Sequence, residues 1–294
     1  MRKHCENAKS RHGVFVIDVL RSLVNSTMTR FGFGPEPNYQ SVKEYFPGSN
    51  PDFICIAGPC SIESPRQIET IARAIKTKKI SFMRGGVFRA GTYPPRDSNF
   101  GLQQDLLEHW HRISKRHGLK IIVEVLDIRE IDLLNHYADA FQVGARHMQD
   151  YALLKELAYC RKTVALKRHP GCNLNEFLGA AEYLVKGKCQ PILIERGSST
   201  FMDHVRWDLS VSLIAAIKRI TGIPVIVDAS HGSGRRDLIE PLTLAGIAAG
   251  ADGFLVETHP KPNVSLSDPQ QAYPLKCFGA LFDRASAIWI LKRK

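Results

Sequence analysis

The sequence predicts an α/β protein whose strands and helices alternate and close into a (β/α)8 TIM barrel. Eight short runs of apolar or β-branched residues recur after residue 50, at 53–57, 80–84, 120–125, 140–143, 163–166, 191–194, 224–227 and 253–256. Most of the runs are continuous rather than alternating, which is typical of strands buried on both faces. Helical patterns separate many of them, at 65–76, 101–116, 175–185, 209–220 and 238–249. Eight strands joined by helices indicate a barrel.

The length of the chain agrees with one barrel. Its 294 residues would fill about two average domains, but a (β/α)8 barrel takes roughly 200–250 residues as a single domain. We therefore predict a short N-terminal extension at 1–50 and a barrel domain at 51–294. The extension contains a possible amphipathic helix at 14–26, followed by segments rich in Gly and Pro. We assign no chemistry to it.

Composition excludes several classes of protein. Hydrophobic residues make up 44% of the chain and charged residues 23%, which does not fit a disordered, collagen-like or coiled-coil protein. The seven cysteines are an odd number without a C-x-x-C pair, which argues against a disulfide framework or zinc ribbon and for a reducing compartment. Asp18 and Arg21 interrupt the N-terminal apolar run, so we expect neither a signal peptide nor a membrane span. A cytoplasmic protein is the expectation.

The net charge of +11 suits an anionic partner. Charge alone does not separate a phosphorylated metabolite from nucleic acid or a membrane surface. Nucleic acid is the weaker interpretation, because the chain has no basic segment interleaved with aromatic residues and no recognised nucleic-acid module. We expect a small-molecule anion and neither a nucleic-acid nor a membrane partner.

Reactive side chains follow nearly every predicted strand, where barrel active sites lie. In chain order they are Cys60, Arg84 with Arg89, Glu124 with Asp127, Arg146, Lys167, Glu195 with Arg196, Asp228 with His231, and Glu257 with His259. Converging Arg and Lys side chains repel one another unless an anion lies between them, and guanidinium groups bind carboxylate or phosphate bidentately. Cys, His, Glu and Asp from different strand ends suit a divalent ion. The pattern predicts a metal site beside a site for a small polyanion.

Taken singly, the same residues have structural interpretations. A lone Cys60 is more often a small buried hydrophobe than a ligand. His231 could cap a helix or fill space in the core. Glu257 could belong to a structural ion pair, and Asp268 could form an Asx turn. The joint pattern favours the functional interpretation over these alternatives.

Eight segments resemble type I DAHP synthase and its relative KDO8P synthase, in the order and spacing of those enzymes. They are AGPCSIES at 57–64, MRGGVFRAGTYPP at 83–95, QVGARHMQ at 142–149, LKR at 166–168, IERG at 194–197, PVIVDASHGSGRRDL at 224–238, AGADGFLVETHP at 249–260 and LSD at 266–268. The resemblance extends over about residues 52–275 and is strongest to the short type Iβ DAHP synthases.

The resemblance implies a metal-dependent, aldol-like condensation of phosphoenolpyruvate with an aldose phosphate, which releases phosphate and forms a 3-deoxy-2-ulosonate. In DAHP synthase the aldose phosphate is erythrose 4-phosphate, and the product opens the shikimate pathway of aromatic amino acid biosynthesis. Barrels of this family are commonly homo-oligomers, so we expect a homodimer or homotetramer.

By match of motif, the ligands for a divalent ion (Mn2+, Fe2+, Co2+ or Zn2+) are Cys60, His231, Glu257 and Asp268. Arg84 is matched to the phosphoenolpyruvate carboxylate, and Arg146, Lys167 and Arg196 to its phosphate. Lys167 also lies near the carboxylate in this family. The resemblance therefore implies Lys167, Arg89, Cys60 and His231 as the catalytic residues.

The acceptor side departs from the family. DAHP synthase carries Lys-Pro-Arg-Thr after its second strand, whereas this chain reads Arg89-Ala90-Gly91-Thr92. The Arg that binds the acceptor's phosphate is absent at Gly91, while Arg89 and Thr92 remain as predicted substrate-binding residues. His147, Asp150 and Ser199 are further changes. A different aldehyde acceptor is therefore one alternative, and a non-catalytic anion-binding descendant is another, although the intact metal ligands argue against the latter.

Overall fold

A computed structural model describes residues 52–87 and 103–292, and these contain a closed parallel barrel. Its strands are β1 (Ile54–Gly58), β2 (Phe82–Gly85), β3 (Ile121–Val125), β4 (Ala140–Val143), β5 (Thr163–Lys167), β6 (Pro191–Glu195), β7 (Val225–Asp228) and β8 (Gly253–His259). Each strand pairs in parallel with the next, and β8 pairs with β1 to close the ring. A two-residue strand, β9 (Tyr273–Pro274), pairs with the end of β8.

Helices follow the strands and cover the outside of the barrel. They are α1 (Pro65–Ile75), α2 (Gln104–Arg116), α3 (Ile131–Tyr137), α4 (Tyr151–Tyr159), α5 (Leu174–Lys186), α6 (Val211–Ile220), α7 (Ala229–Ser233), α8 (Ile239–Ala249) and α9 (Phe278–Lys292). The predicted (β/α)8 barrel is confirmed, and all eight predicted strands are present, with limits that agree to within two residues except at the end of β8, which continues three residues beyond the predicted 256 to His259. Helices α3, α4, α7 and α9 are additions to the predicted set. The predicted extension at 1–50 lies outside the described residues.

Two apolar layers hold the barrel together. Inside it, a small cluster of Ile, Leu and Ala side chains from the strands fills the lower part of the ring. Outside it, a much larger cluster joins the outward faces of the strands to the helices. The strands are apolar on both faces for this reason, which explains their continuous rather than alternating pattern. Within the described residues, no helix is both long enough and apolar enough to span a membrane.

Ring closure requires a glycine at the start of β8. Gly253 pairs with Ile54 of β1, and a Cβ atom at Gly253 would lie 1.7 Å from the Ile54 carbonyl oxygen. Any side chain at this position would push the first and last strands apart.

We expect Gly253→Ala to destabilise the protein by about 1–3 kcal/mol, because the added methyl group overlaps the backbone of β1. Gly179→Ala is the matched control: it lies within α5, and its Cβ would meet no atom within 4 Å. The control should stabilise the protein by about 0.5–1 kcal/mol through helix propensity. Urea unfolding measures both changes, and an unchanged midpoint for Gly253→Ala would contradict the closure argument.

Candidate active site

Alternation along the strands points polar side chains into the carboxyl-terminal mouth of the barrel. Side chains at positions i and i+2 of a strand share a face, and the apolar residues of the inner cluster are followed two positions later by polar ones. Ile122 is followed by Glu124, Ala165 by Lys167, Ile194 by Arg196, Ile226 by Asp228, and Leu255 by Glu257, while Phe82, which packs against this cluster, is followed by Arg84. The strand register therefore gathers these side chains at one end of the ring.

Three of the four predicted metal ligands lie together. The Cys60 sulfur and one oxygen each from Glu257 and Asp268 are all within 4.8 Å of one another. The Cys60 sulfur is 3.6 Å from Asp268 Oδ2. His231, the fourth predicted ligand, is outside this group but borders it, with Nε2 3.0 Å from Glu257 Oε1. One sulfur, one imidazole nitrogen and two carboxylates fit a divalent transition metal.

The electrostatics of the thiol agree with a cation site. Burial raises the pKa of the Cys60 thiol well above its usual value, and the Glu257 carboxylate adds to the effect. Arg84 acts in the opposite direction without offsetting burial, so a cation that binds the thiolate would supply the further positive charge that the thiolate needs.

Asp228 fixes the orientation of His231. Its carboxylate accepts from the His231 backbone N–H at 3.1 Å and contacts the imidazole Nδ1 at 2.7 Å. With Nδ1 directed at Asp228, Nε2 is the ring nitrogen directed at Glu257 and the other predicted ligands, an arrangement typical of metal-binding histidines. Burial alone would raise the pKa of Asp228, but His231 and Lys167 hold it well below its usual range. Asp228 is therefore an anion that positions its two neighbours.

The loop that carries Asp268 is tied to the loop that carries Cys60. Glu63 accepts from the backbone N–H of Leu266 at 2.8 Å, and Ser267 Oγ donates to Ser61 Oγ at 2.9 Å. Asp268 itself has a left-handed backbone, with φ of 44°. The two ligands are thus held by hydrogen bonds between their loops.

Two buried or half-buried polar side chains, which the sequence analysis does not single out, complete the support. Gln271 donates to Glu257 Oε2 at 2.6 Å, which fixes the second oxygen of that carboxylate. Arg236 donates to the carbonyl oxygens of Pro269 at 2.5 Å and Ala272 at 2.8 Å. The loop that carries Asp268 is therefore anchored both to Glu257 on β8 and to Arg236 in the segment that follows α7.

The predicted anion-binding side chains border this metal site. Arg84 is buried, and its Nη1 donates to Glu257 Oε1 at 2.5 Å and to the Pro59 carbonyl at 2.9 Å. Its Nε has no partner among the described residues. Lys167 Nζ lies 3.0 Å from Asp228 Oδ2 and 3.2 Å from His231 Nδ1. The predicted metal ligands and the predicted anion-binding side chains are therefore in direct contact.

Arg196 and Arg146 extend the positive surface. Arg196 is buried and donates to the His231 carbonyl at 3.3 Å. Burial lowers its pKa to about 10, and Asp228 offsets part of that effect. Arg146 is exposed in the short turn Ala145–His147 after β4. Arg89 and Thr92, the remaining predicted substrate-binding residues, lie outside the described residues.

Glu195, one of the strand-end residues, has a structural partner. Arg168 binds it with two parallel hydrogen bonds, Nε to Oε2 at 2.5 Å and Nη2 to Oε1 at 2.9 Å. Both side chains are buried, and Glu195 Oε1 also accepts from the Gly197 N–H at 2.8 Å. This pair locks the ends of β5 and β6, directly beside Lys167 and Arg196 in the chain.

Two carboxylates that the sequence analysis names together have different surroundings. Asp127 accepts from the backbone N–H of Arg129 and pairs with its guanidinium, so it caps the turn Ile128–Glu130. Glu124 lies on the inner face of β3, where its Oε1 would be 2.3 Å from a Cβ at Gly144. Of the two, Glu124 is the one that faces the mouth of the barrel.

Known proteins share this fold and these motifs. The sequence model of the DAHP synthetase I family matches residues 36–285. The chain belongs to the DAHP synthetase I family. It is 36% identical over 230 residues to the phospho-2-dehydro-3-deoxyheptonate aldolase of Thermotoga maritima, an alignment that covers 78% of this chain and 68% of that protein. The family predicted from the motifs is confirmed, and the chain is an enzyme of the DAHP synthase type.

Structural similarity agrees with this membership of the DAHP synthetase I family. The crystal structure of the Thermotoga maritima DAHP synthase matches with a TM-score of 0.77 and 35% identity, covering 81% of this chain and 70% of that chain. A 2-dehydro-3-deoxyphosphooctonate aldolase of Azoarcus sp. is 28% identical over 266 residues, which are 82% of this chain and 92% of that protein. The chain is thus similar to both branches of the predicted superfamily.

The Arg168–Glu195 pair generates a stability prediction. Glu195→Gln should lower the free energy of unfolding by about 3 kcal/mol, because it leaves the Arg168 charge buried without its counter-ion. The control is Asp237→Asn, which removes the partner of Arg235 in an exposed pair and should leave stability nearly unchanged. Urea unfolding measures both, and equal midpoints for the two variants would mean that the buried pair has no special role.

Proposed function

We propose that the protein condenses phosphoenolpyruvate with an aldose phosphate in a metal-dependent, aldol-like reaction that releases phosphate and forms a 3-deoxy-2-ulosonate. The observation that carries the proposal is the contact between the two halves of the site through Glu257. This carboxylate lies in the group of metal-binding atoms and also accepts from Arg84 at 2.5 Å. A substrate held by the buried cations would therefore lie beside the metal.

The metal ligands in this proposal are Cys60, His231, Glu257 and Asp268. A divalent ion bound there supplies a Lewis acid for the aldehyde oxygen and a means of activating water. Mn2+, Fe2+, Co2+ and Zn2+ all suit a site with this mixture of sulfur, nitrogen and oxygen. Within the chain, Asp228 and Gln271 hold His231 and Glu257 in place for that ion.

The side chains around the metal bind and orient phosphoenolpyruvate. Arg84 faces its carboxylate, while Lys167, Arg196 and Arg146 receive its phosphate. The enol carbon attacks the aldehyde carbon, water adds to the former C2 of phosphoenolpyruvate, and the bond between that carbon and the phosphate oxygen then breaks. Fixed positive groups stabilise the negative charge that collects on the departing phosphate. Lys167 Nζ lies 3.0 Å from Asp228 Oδ2, and this contact fixes the position of the ammonium group in the site.

Glu124 is the carboxylate that we assign to proton transfer in the same reaction. It faces the mouth of the barrel, and its negative charge acts on Arg84, whereas Asp127 is occupied by Arg129. A carboxylate in this position can exchange a proton with the attacking water or the departing phosphate. Arg89, which does not lose its proton in proteins, is assigned to binding and charge stabilisation.

Erythrose 4-phosphate is the acceptor that we propose first, because the heptonate-type relative is 36% identical and the octonate-type relative 28%. Asp150, one of the departures on the acceptor side, accepts from the Leu153 N–H at 3.0 Å and caps α4. That change therefore has a structural explanation. With this substrate the enzyme belongs to aromatic amino acid biosynthesis, and we propose that it works in the cytoplasm as a homodimer or homotetramer.

We expect Cys60→Ala to abolish metal-dependent release of phosphate from phosphoenolpyruvate, with at least about a hundredfold loss in kcat/KM, because one metal ligand is removed. The matched control is Cys277→Ala, another half-buried cysteine, which lies far along the chain and outside the metal-binding group. The control should keep its activity and its sensitivity to a chelator. Full activity of Cys60→Ala in the presence of a chelator would exclude the proposed metal site.

The acceptor is tested with metal-loaded protein, phosphoenolpyruvate and a panel of aldoses, both phosphorylated and free. We expect chelator-sensitive phosphate release with erythrose 4-phosphate as the preferred acceptor. Preference for another aldehyde would mean that the sequence change at Arg89–Thr92 alters the acceptor specificity. No turnover with any member of the panel would favour a non-catalytic anion-binding protein.

A further inference from the structure

Arg196 lies over the ring of Trp207, with 5.3 Å between the guanidinium carbon and the ring centroid. This is within the range of a cation–π interaction. Among the described residues, Arg196 forms no ion pair, and its one hydrogen bond goes to the backbone carbonyl of His231. Asp228 acts on this buried cation only from beyond ion-pair distance, so the aromatic face of Trp207 is a contact that holds the guanidinium directly.

The neighbouring Arg168 shows the contrast. Its guanidinium is fully engaged, with Glu195 on two nitrogens, Ser198 Oγ at 2.8 Å and the Cys172 carbonyl at 3.0 Å. No donor edge of Arg168 is left for a ligand. The contact of Arg196 with Trp207 uses none of its N–H donors, and among the described residues only Nη2 is engaged, by the His231 carbonyl, so the other donors are available for an anion.

The backbone holds Trp207 from two sides. The backbone N–H of Trp207 donates to the carbonyl of Gly232 at 2.9 Å. Gly232 lies in α7, the short helix that carries His231. The next residue, Asp208, exchanges two backbone hydrogen bonds with Ser198 at 2.8 and 2.9 Å. Gly197 has φ of 99°, and a Cβ there would lie 2.6 Å from the Trp207 Cβ. The indole is therefore fixed against the loop that carries Arg196.

The polar atom of the indole does not explain its presence. Trp207 Nε1 is buried and has no acceptor among the described residues. A buried, unpaired donor lowers stability, so the hydrogen-bonding group of this side chain is a disadvantage to the fold. The part of Trp207 that makes a favourable contact is its face, and that face is turned to Arg196.

We propose that Trp207 is a positioning residue, which holds the Arg196 guanidinium in the orientation that receives the phosphate of phosphoenolpyruvate. The inference rests on the proposed function, because that function assigns the phosphate to Arg196. A stacked guanidinium loses less freedom when it binds a ligand than a mobile one does. A carboxylate in direct contact with Arg196 would compete with phosphate for the guanidinium donors, whereas an aromatic face does not accept from them.

The test compares Trp207→Leu with Trp207→Phe in full-length, metal-loaded protein. Isothermal titration gives the Kd for inorganic phosphate and for phosphoenolpyruvate, and steady-state kinetics give KM and kcat. Trp207→Leu should raise both Kd values and the KM for phosphoenolpyruvate about tenfold, while kcat changes little. Trp207→Phe keeps an aromatic face that binds a cation more weakly, and it should raise the same constants about twofold.

Trp110→Phe is the matched control, since Trp110 is a buried core tryptophan whose Nε1 also has no partner among the described residues. It should leave every Kd unchanged.

A double-mutant cycle with Arg196→Ala separates the possible outcomes. If Trp207 acts through Arg196, Trp207→Leu should have no further effect on phosphate binding in the Arg196→Ala protein. If Trp207→Leu weakens phosphate binding equally in the wild-type and the Arg196→Ala protein, the inference is overturned. It is also overturned if the Trp207→Leu protein binds phosphate as tightly as the wild-type protein while the Arg196→Ala protein binds it weakly. If Arg196→Ala itself leaves phosphate binding unchanged, the assignment of the phosphate in the proposed function is wrong. Should Trp207→Leu fail to fold, the same cycle is measured with Trp207→Phe.

Discussion

Buried charge in the mouth of the barrel is balanced through Glu257, whose carboxylate touches Arg84 at 2.5 Å and His231 at 3.0 Å. Burial alone would raise the pKa of Glu257, but His231 and Arg84 hold it well below its usual range. A second buried carboxylate, Asp228, likewise contacts the side chains of Lys167 and His231. Either carboxylate left alone would be costly in this environment, and so would the cations. The predicted metal ligands and the predicted anion-binding groups therefore stabilise one another in the absence of any ligand.

This arrangement depends on the register of the closed sheet. Parallel pairing of β1 with β8 sets Gly58 beside Glu257, so the loop that follows β1 brings Cys60 to the last strand. A slip of one residue would turn Glu257 out of the barrel and an apolar neighbour into its mouth. Gly253 permits that pairing, because its missing side chain leaves room for the carbonyl oxygen of Ile54. Thus a backbone constraint at the bottom of the barrel determines the distances at its top.

The sequence predicts the barrel and the strand-end residues because both follow from local patterns. Continuous apolar runs mark buried strands, and parallel strands bring their carboxyl ends together whatever the loops do. The supporting contacts follow from long-range geometry and have no such signal. Gln271 reaches Glu257 from an irregular loop, and Trp207 reaches Arg196 from a polar segment without periodicity. The local role of Asp127 does have a sequence signal, since Asp is a preferred N-cap residue, and the Arg two positions later is close enough to pair with its carboxylate.

The partners of each arginine say more about function than the net charge of +11 does. Arg168 and Arg236 spend their donor groups on carboxylate and carbonyl oxygens of the protein, so they stabilise loops. Within the described residues, Arg84 keeps an unpaired Nε, and Arg196 lies over an aromatic ring and donates a single hydrogen bond, to the His231 carbonyl. Guanidinium groups whose donors are already satisfied gain little from an anion, whereas incompletely satisfied buried groups gain most. The fold therefore separates its arginines by the partners it gives them, and the incompletely paired ones border the metal-binding group.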